Sequence, residues 1–170
     1  MASSSLSATQ SPQHDGKVSP QLTFPSLPWF RRLAELMEAN RSVHEHVGEI
    51  DCTCVFTVLD ASGPGEDRHF QVTFEWFSVT DVREVSDEQR LAADFIMETD
   101  LQVWMEMLEN IARDGGRPDL EHSLNHLSLP GVPMRVWAAD PLGRDMFFRF
   151  NGTLQEFINA SLHIPTRYEE

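Results

Sequence analysis

The 170-residue chain carries 27 acidic residues against 13 basic ones, which gives a formal net charge of −14. A surface of that sign repels a phosphate backbone or an anionic bilayer, so nucleic-acid binding and stable membrane insertion are disfavoured. No apolar run reaches the roughly 18 residues of a membrane-spanning helix, and 41% hydrophobic residues suffice for one core. We therefore expect one domain. We also place it in the cytoplasm, because its two cysteines are expected to be reduced, and we assign it no cofactor.

Both ends of the chain are predicted to lie outside that domain. Residues 1–25 are rich in Ser, Pro, Gln and Thr and contain little to bury, which is typical of a disordered tail. We place the domain at residues 26–164 and a C-terminal tail at residues 165–170.

The first half of the domain predicts a helix followed by a strand hairpin. Ser26-Leu27-Pro28 is typical of a helix start, and apolar residues recur at helical spacing as far as Asn40. The segments Cys52–Leu59 and Phe70–Trp76 have strand composition, and the second alternates apolar with polar residues. The polar segment Asp60–Asp67 between them predicts a turn.

Two cysteines, Cys52 and Cys54, are the only ones in the chain. One residue separates them, so a disulfide between them would be strained, and a single Cys-X-Cys is too little for a structural zinc site. We predict that both are reduced thiols in the core.

The second half alternates strand and helix signals. Ala93, Phe95 and Met97 alternate with Asp94, Ile96 and Glu98, which predicts a strand, and Thr99 is predicted to cap a helix that Gly115-Gly116 ends. A short strand at Met134–Trp137 and another at Met146–Phe150 are expected before a last helix. The order predicts an α+β fold, with a mostly antiparallel twisted sheet of about five strands layered with helices.

This order resembles the sterol carrier protein 2 family. An N-terminal helix leads into a hairpin whose turn carries Gly63-Pro64-Gly65, and a strand runs directly into a helix at Phe95–Leu101. The segment Met146–Leu154 is similar to that family's closing strand, glycine and helix. The resemblance covers residues 29–162. It implies non-catalytic binding of a hydrophobic ligand in an apolar tunnel, as a carrier that holds it or presents it to a partner enzyme.

The ligand classes that the resemblance implies are sterols, fatty acids and acyl-CoA. A tunnel for them needs large apolar side chains. By position, the predicted lining residues are Trp76, Phe95, Met97, Trp104, Met105, Leu108, Phe148, Phe150, Leu154, Phe157 and Ile158. The same residues would also form a solid core, because apolar periodicity marks burial alone. Arg135, Arg144 and Arg149 are candidates to meet a ligand carboxylate.

Two alternatives to a carrier stay open. An accessory protein-interaction module would use the same fold with a filled core and the long segment 113–144 as its partner-facing part. A small nuclear transport factor 2-like enzyme acting on a sterol or polyketide would need an acid–base group at the pocket floor. We expect no enzyme, since no nucleophile elbow or nucleotide-binding motif is present.

Two histidine pairs are candidate metal ligands. His122 and His126 stand at i, i+4, and His44 and His46 flank Glu45. Neither pair belongs to a His-Glu-X-X-His motif, so we predict no metal site.

Overall fold

A computed structural model describes residues 20–169 of the chain. In chain order the elements are β1 (Leu22–Phe24), α1 (Leu27–Ala39), α2 (Arg41–Val47), β2 (Ile50–Leu59), β3 (Arg68–Trp76), β4 (Ser78–Val85), a 3-10 turn (Gln89–Ala92), β5 (Phe95–Asp100), α3 (Leu101–Arg113), α4 (Leu124–Leu127), β6 (Arg135–Trp137), α5 (Pro141–Asn159), a second 3-10 turn (Ala160–His163) and β7 (Thr166–Tyr168).

The main sheet has five strands in the order β4-β3-β2-β5-β6. Three of its four neighbouring pairs are antiparallel, and β2 and β5 are parallel. The predicted α+β fold with a mostly antiparallel sheet is thus confirmed, with one parallel pair added. That pair arises because the segment 86–94 carries the chain from one edge of the sheet to its middle before β5 begins.

The ordered part reaches beyond both predicted bounds of the domain. Strand β1 pairs in parallel with β7, with Leu22 opposite Thr166 and Phe24 opposite Tyr168. These strands fall within the segments 1–25 and 165–170 that were predicted to be tails. Residues 1–19, which make up most of the predicted N-terminal tail, lie outside the described residues.

The alternation in the hairpin places one side of each strand in the core. Phe70, Val72 and Phe74 of β3 are fully buried and share one apolar cluster with side chains of α1, α3 and α5. Cys52 and Cys54 lie on the same side of the sheet, and both are buried and free of disulfide bonds, as predicted. Burial raises the pKa of the Cys54 thiol, and its neighbour Cys52 raises it further, which keeps it protonated.

The predicted strand at Met146–Phe150 is wrong, because this segment lies inside α5. Asp140 caps the helix by accepting a hydrogen bond from the Leu142 N–H at 2.9 Å, and Pro141 occupies the first turn. The strand, glycine and helix that supported the family resemblance are therefore one continuous helix.

The predicted cap of α3 is also corrected. Thr99 is buried at the end of β5, and its hydroxyl donates to the carbonyl oxygen of Pro133 at 3.2 Å. Asp100 takes the N-cap position without a side-chain hydrogen bond. The threonine therefore forms a hydrogen bond between β5 and the segment that precedes β6, and it does not start the helix.

Two glycines of α5 allow a pair of substitutions that tests how closely the helix approaches the sheet. A Cβ at Gly143 would overlap the carbonyl oxygen of Asp94, whereas one at Gly152 would make an ordinary contact at 3.7 Å with Val47 Cγ1. Gly143→Ala is expected to lower the free energy of unfolding by about 1–3 kcal/mol through overpacking. Gly152→Ala is expected to raise it by up to about 1 kcal/mol through helix propensity. Urea unfolding of both variants tests this, and equal effects would contradict the close approach at Gly143.

Candidate ligand-binding site

Most of the eleven predicted lining residues lie in the packed core. Eight are buried members of the main apolar cluster: Phe95, Met97, Trp104, Leu108, Phe150, Leu154, Phe157 and Ile158. Met105 is half-buried, and Trp76 and Phe148 are exposed. Within the cluster the rings are in direct contact, with Phe157 edge-on to Phe74 at a centroid distance of 5.1 Å.

A pocket of about 320 Å³ opens where β2 begins, β3 ends and α5 passes. Its apolar lining consists of Ile50, Trp76, Met146 and Phe150, and its charged lining of Glu49, Asp51 and Arg149. Of the eleven predicted residues, it brings together Trp76 and Phe150.

The elements that form this pocket explain why these side chains meet. Ile50 and Trp76 are directly opposite each other in the β2–β3 register. Met146, Arg149 and Phe150 stand at i, i+3 and i+4 of α5, so they share one face of the helix. The helical register therefore supplies one wall and the end of the hairpin supplies the other.

Trp76 has an unusual backbone for its residue type. Glu75 pairs with Ser78, so Trp76 and Phe77 form a two-residue hairpin turn, and Trp76 has φ 59°. Glycine is favoured at the first position of such a turn, and a bulky residue there costs roughly 1–3 kcal/mol.

The Trp76 side chain is 67% exposed. The indole N–H groups of Trp29, Trp104 and Trp137 all donate hydrogen bonds within the protein. Across residues 20–169 the Trp76 indole has no such partner. Trp76 therefore has a strained backbone, an exposed ring and no hydrogen-bond partner for its indole. Core packing does not explain why such a residue lines this pocket.

The charged groups of the pocket do not pair with one another or with their surroundings in the described part of the chain. Within residues 20–169, no opposite charge lies within 4.0 Å of Arg149, Glu49 or Asp51. The Arg149 guanidinium carbon instead lies 5.2 Å from the centroid of the Phe150 ring. All three charged groups therefore lack an ionic partner in this part of the chain, and of the three only Arg149 attracts an anionic ligand.

The two histidine pairs occupy different surroundings. His122 precedes α4, and its Nδ1 lies 2.7 Å from a carboxylate oxygen of Asp119. This contact, together with hydrogen bonds from Asn110 and the His122 backbone N–H, lowers the pKa of Asp119 to about 2. On α2, His46 is exposed beside the carbonyl of Ser42, whereas His44 is buried. In the part of the chain that the structure describes, no cluster of three or more His, Cys, Asp or Glu is arranged to hold a metal.

Sequence reasoning missed Ile50, Met146, Glu49 and Asp51. The strand interpretation of 146–150 puts Met146 and Arg149 on opposite faces, whereas a helix puts them on one. The sequence signal that could have identified α5 as one wall of the pocket is Asp140-Pro141, which is typical of a helix start.

No protein-family model matches the sequence, and no curated protein matches it. Solved structures do match its fold, among them the following two. The crystal structure of sterol carrier protein 2 is 15% identical, with a TM-score of 0.59 over 82% of this chain and 97% of that one. The chain has a sterol carrier protein 2-like fold.

A second structure of this fold is the solution structure of a conserved hypothetical protein from Thermus thermophilus, described as possibly a sterol carrier protein. It is 14% identical, with a TM-score of 0.61 over 84% of this chain and 90% of that one. The predicted sterol carrier protein 2-like architecture is thereby confirmed.

No helix within residues 20–169 has both the length and the apolar character that a membrane crossing requires.

Proposed function

We propose that this protein binds a single-chain lipid, such as a fatty acid, in the Trp76 pocket and acts as a cytoplasmic carrier rather than an enzyme. The observation that carries the proposal is the exposed, strained Trp76, which lines a pocket together with the apolar side chains of Ile50, Met146 and Phe150. Strained backbone persists where a function requires it, and an exposed indole offers a large apolar surface to a ligand. The sterol carrier protein 2-like fold supports the same assignment.

The size of the pocket favours one hydrocarbon chain. Its volume of about 320 Å³ is near the lower end of the range for small-molecule sites, roughly 300–1,000 Å³. Each methylene that leaves water contributes about 0.8 kcal/mol. A segment of about eight methylenes between Trp76, Met146 and Phe150 thus provides about 6 kcal/mol before the cost of association.

Equilibrium titration with a fluorescent fatty acid tests the proposal. We expect saturable binding of one probe per chain and displacement by unlabelled fatty acid. Displacement by a sterol instead would redefine the ligand. A protein that binds neither probe nor any unlabelled lipid would overturn the proposal.

The polar end of a fatty acid is expected to pair with Arg149. Arg149→Gln should weaken fatty-acid binding about threefold to tenfold, because it removes a charge-assisted hydrogen bond. Arg144→Gln is the matched control, since Arg144 stacks over Phe148 on the same helix, outside the pocket lining. Binding of the corresponding fatty alcohol should be unchanged in both variants. An equal loss for acid and alcohol would contradict a carboxylate contact.

A second candidate function is an accessory protein-interaction module. The observation that favours it is the packing of eight predicted lining residues into the core. Such a module would retain its fold and bind no lipid. The same titration therefore separates the two candidates.

A further inference from the structure

A second cavity lies farther along α5, toward its C-terminal end, and shares no lining residue with the Trp76 pocket. It measures about 230 Å³, is partly open to solvent and lies between the α1–α2 junction, the Gly115-Gly116 turn and the end of α5. Its polar lining includes His44, Glu156 and Asn159, and its apolar lining includes Leu36, Val43 and Leu162.

His44 is the most unusual group in this cavity. The residue is 2% exposed, yet its Nδ1 has no hydrogen-bond partner in the described part of the chain. A buried polar atom without a partner is costly, and such atoms are commonly completed by a water or a ligand. Burial lowers the pKa of His44 more than the nearby Glu156 carboxylate raises it. At neutral pH the ring is therefore uncharged, and one of its nitrogens is a free acceptor.

Glu156 gives the cavity its charge. Its side chain is largely buried, and its nearest cation among residues 20–169 is Arg117, at 3.8 Å, whose side chain is 82% exposed. The described residues that line the cavity include neither lysine nor arginine, and its second histidine, His163, is exposed. Asn159 adds a side-chain oxygen that already accepts from Gln155 at 2.9 Å and retains a second lone pair. The polar groups therefore offer acceptors and a negative charge, a combination that selects a cation.

We propose that this cavity binds a small primary ammonium compound with a short hydrocarbon chain. The ammonium group donates hydrogen bonds to the Glu156 carboxylate and to the uncharged His44 ring. Its hydrocarbon chain packs against Leu36, Val43 and Leu162 at the cavity wall. The site is independent of the lipid-binding proposal, because the two cavities have different linings.

The test uses the full-length chain labelled with nitrogen-15 and titrated with n-butylammonium chloride. Signals of the His44 ring nitrogens should shift and saturate. Sodium butyrate at equal ionic strength should cause no saturable shift, because its carboxylate is repelled by Glu156. Absence of a saturable shift with the ammonium salt, or an equal response to butyrate, would overturn the proposal.

Variants at Glu156 make the assignment specific. Glu156→Gln should weaken butylammonium binding about fivefold or more, because it removes the charge that pairs with the ammonium. Glu156→Asp keeps that charge and should bind more tightly than the Gln variant. Glu88→Gln, an equal charge change at an exposed position outside the cavity, should leave the affinity unchanged. Equal affinities in all three variants would rule out the carboxylate as the recognition group.

Discussion

Replacing Phe157 by alanine is expected to lower the free energy of unfolding by about 3–5 kcal/mol. The Phe157 side chain is completely buried, and its ring contacts Phe74 at 5.1 Å and Phe56 at 6.1 Å between centroids. Alanine would remove most of these contacts and leave a cavity between α5 and the sheet. Urea unfolding followed by circular dichroism measures the effect.

Phe148 provides the matched control on the same helix. It is 44% exposed, so Phe148→Ala is expected to cost less than about 1 kcal/mol. Phe157 and Phe148 are both predicted from sequence to line a tunnel, and the two variants distinguish a buried position from a surface one. Similar losses for Phe148→Ala and Phe157→Ala would contradict the orientation of α5.

Replacing Trp76 by glycine is expected to weaken fatty-acid binding about thirtyfold or more while stability stays nearly constant. The affinity falls because an aromatic side chain that becomes covered by the ligand contributes about 2 kcal/mol or more to binding. Stability is maintained because glycine relieves the strain at φ 59°, which offsets its greater entropy in the unfolded chain. Titration with the fluorescent fatty acid and urea unfolding of the same sample measure both quantities.

Leu120 offers a control for the loss of exposed apolar surface. It is 76% exposed and does not line the Trp76 pocket, so Leu120→Ala should bind fatty acid with unchanged affinity. A Trp76→Gly protein that binds normally but loses more than about 2 kcal/mol of stability would make Trp76 a structural residue.

The elements that were predicted correctly have an apolar pattern that fits either the two-residue period of a strand or the 3.6-residue period of a helix, but not both. Phe70, Val72 and Phe74 alternate with polar residues, which no helix would place on one face. By contrast, Met146–Phe150 is apolar at four of its five positions, so both periods fit it. The capping contact of Asp140 and the helical spacing of Phe147, Phe150 and Leu154 favour the helix.

The pocket was harder to predict than the core for a physical reason. Apolar periodicity marks which side chains leave water, but a filled core and an empty pocket require the same residues. The lining of the pocket also comes from three distant points of the chain, near Ile50, Trp76 and Met146. The exposure of Trp76 follows from the two-residue turn after β3, and the sequence offers no glycine or asparagine there to mark that turn.

Quenching of tryptophan fluorescence by a fatty acid brominated along its chain tests the central claim most directly. Trp29 and Trp104 are buried, so Trp76 and Trp137 are the two tryptophans with accessible rings. We predict saturable quenching in the natural protein and in the Trp137→Phe variant, and loss of that quenching in Trp76→Phe. Quenching that persists undiminished in Trp76→Phe, or that never saturates in the natural protein, would contradict lipid binding at the Trp76 pocket.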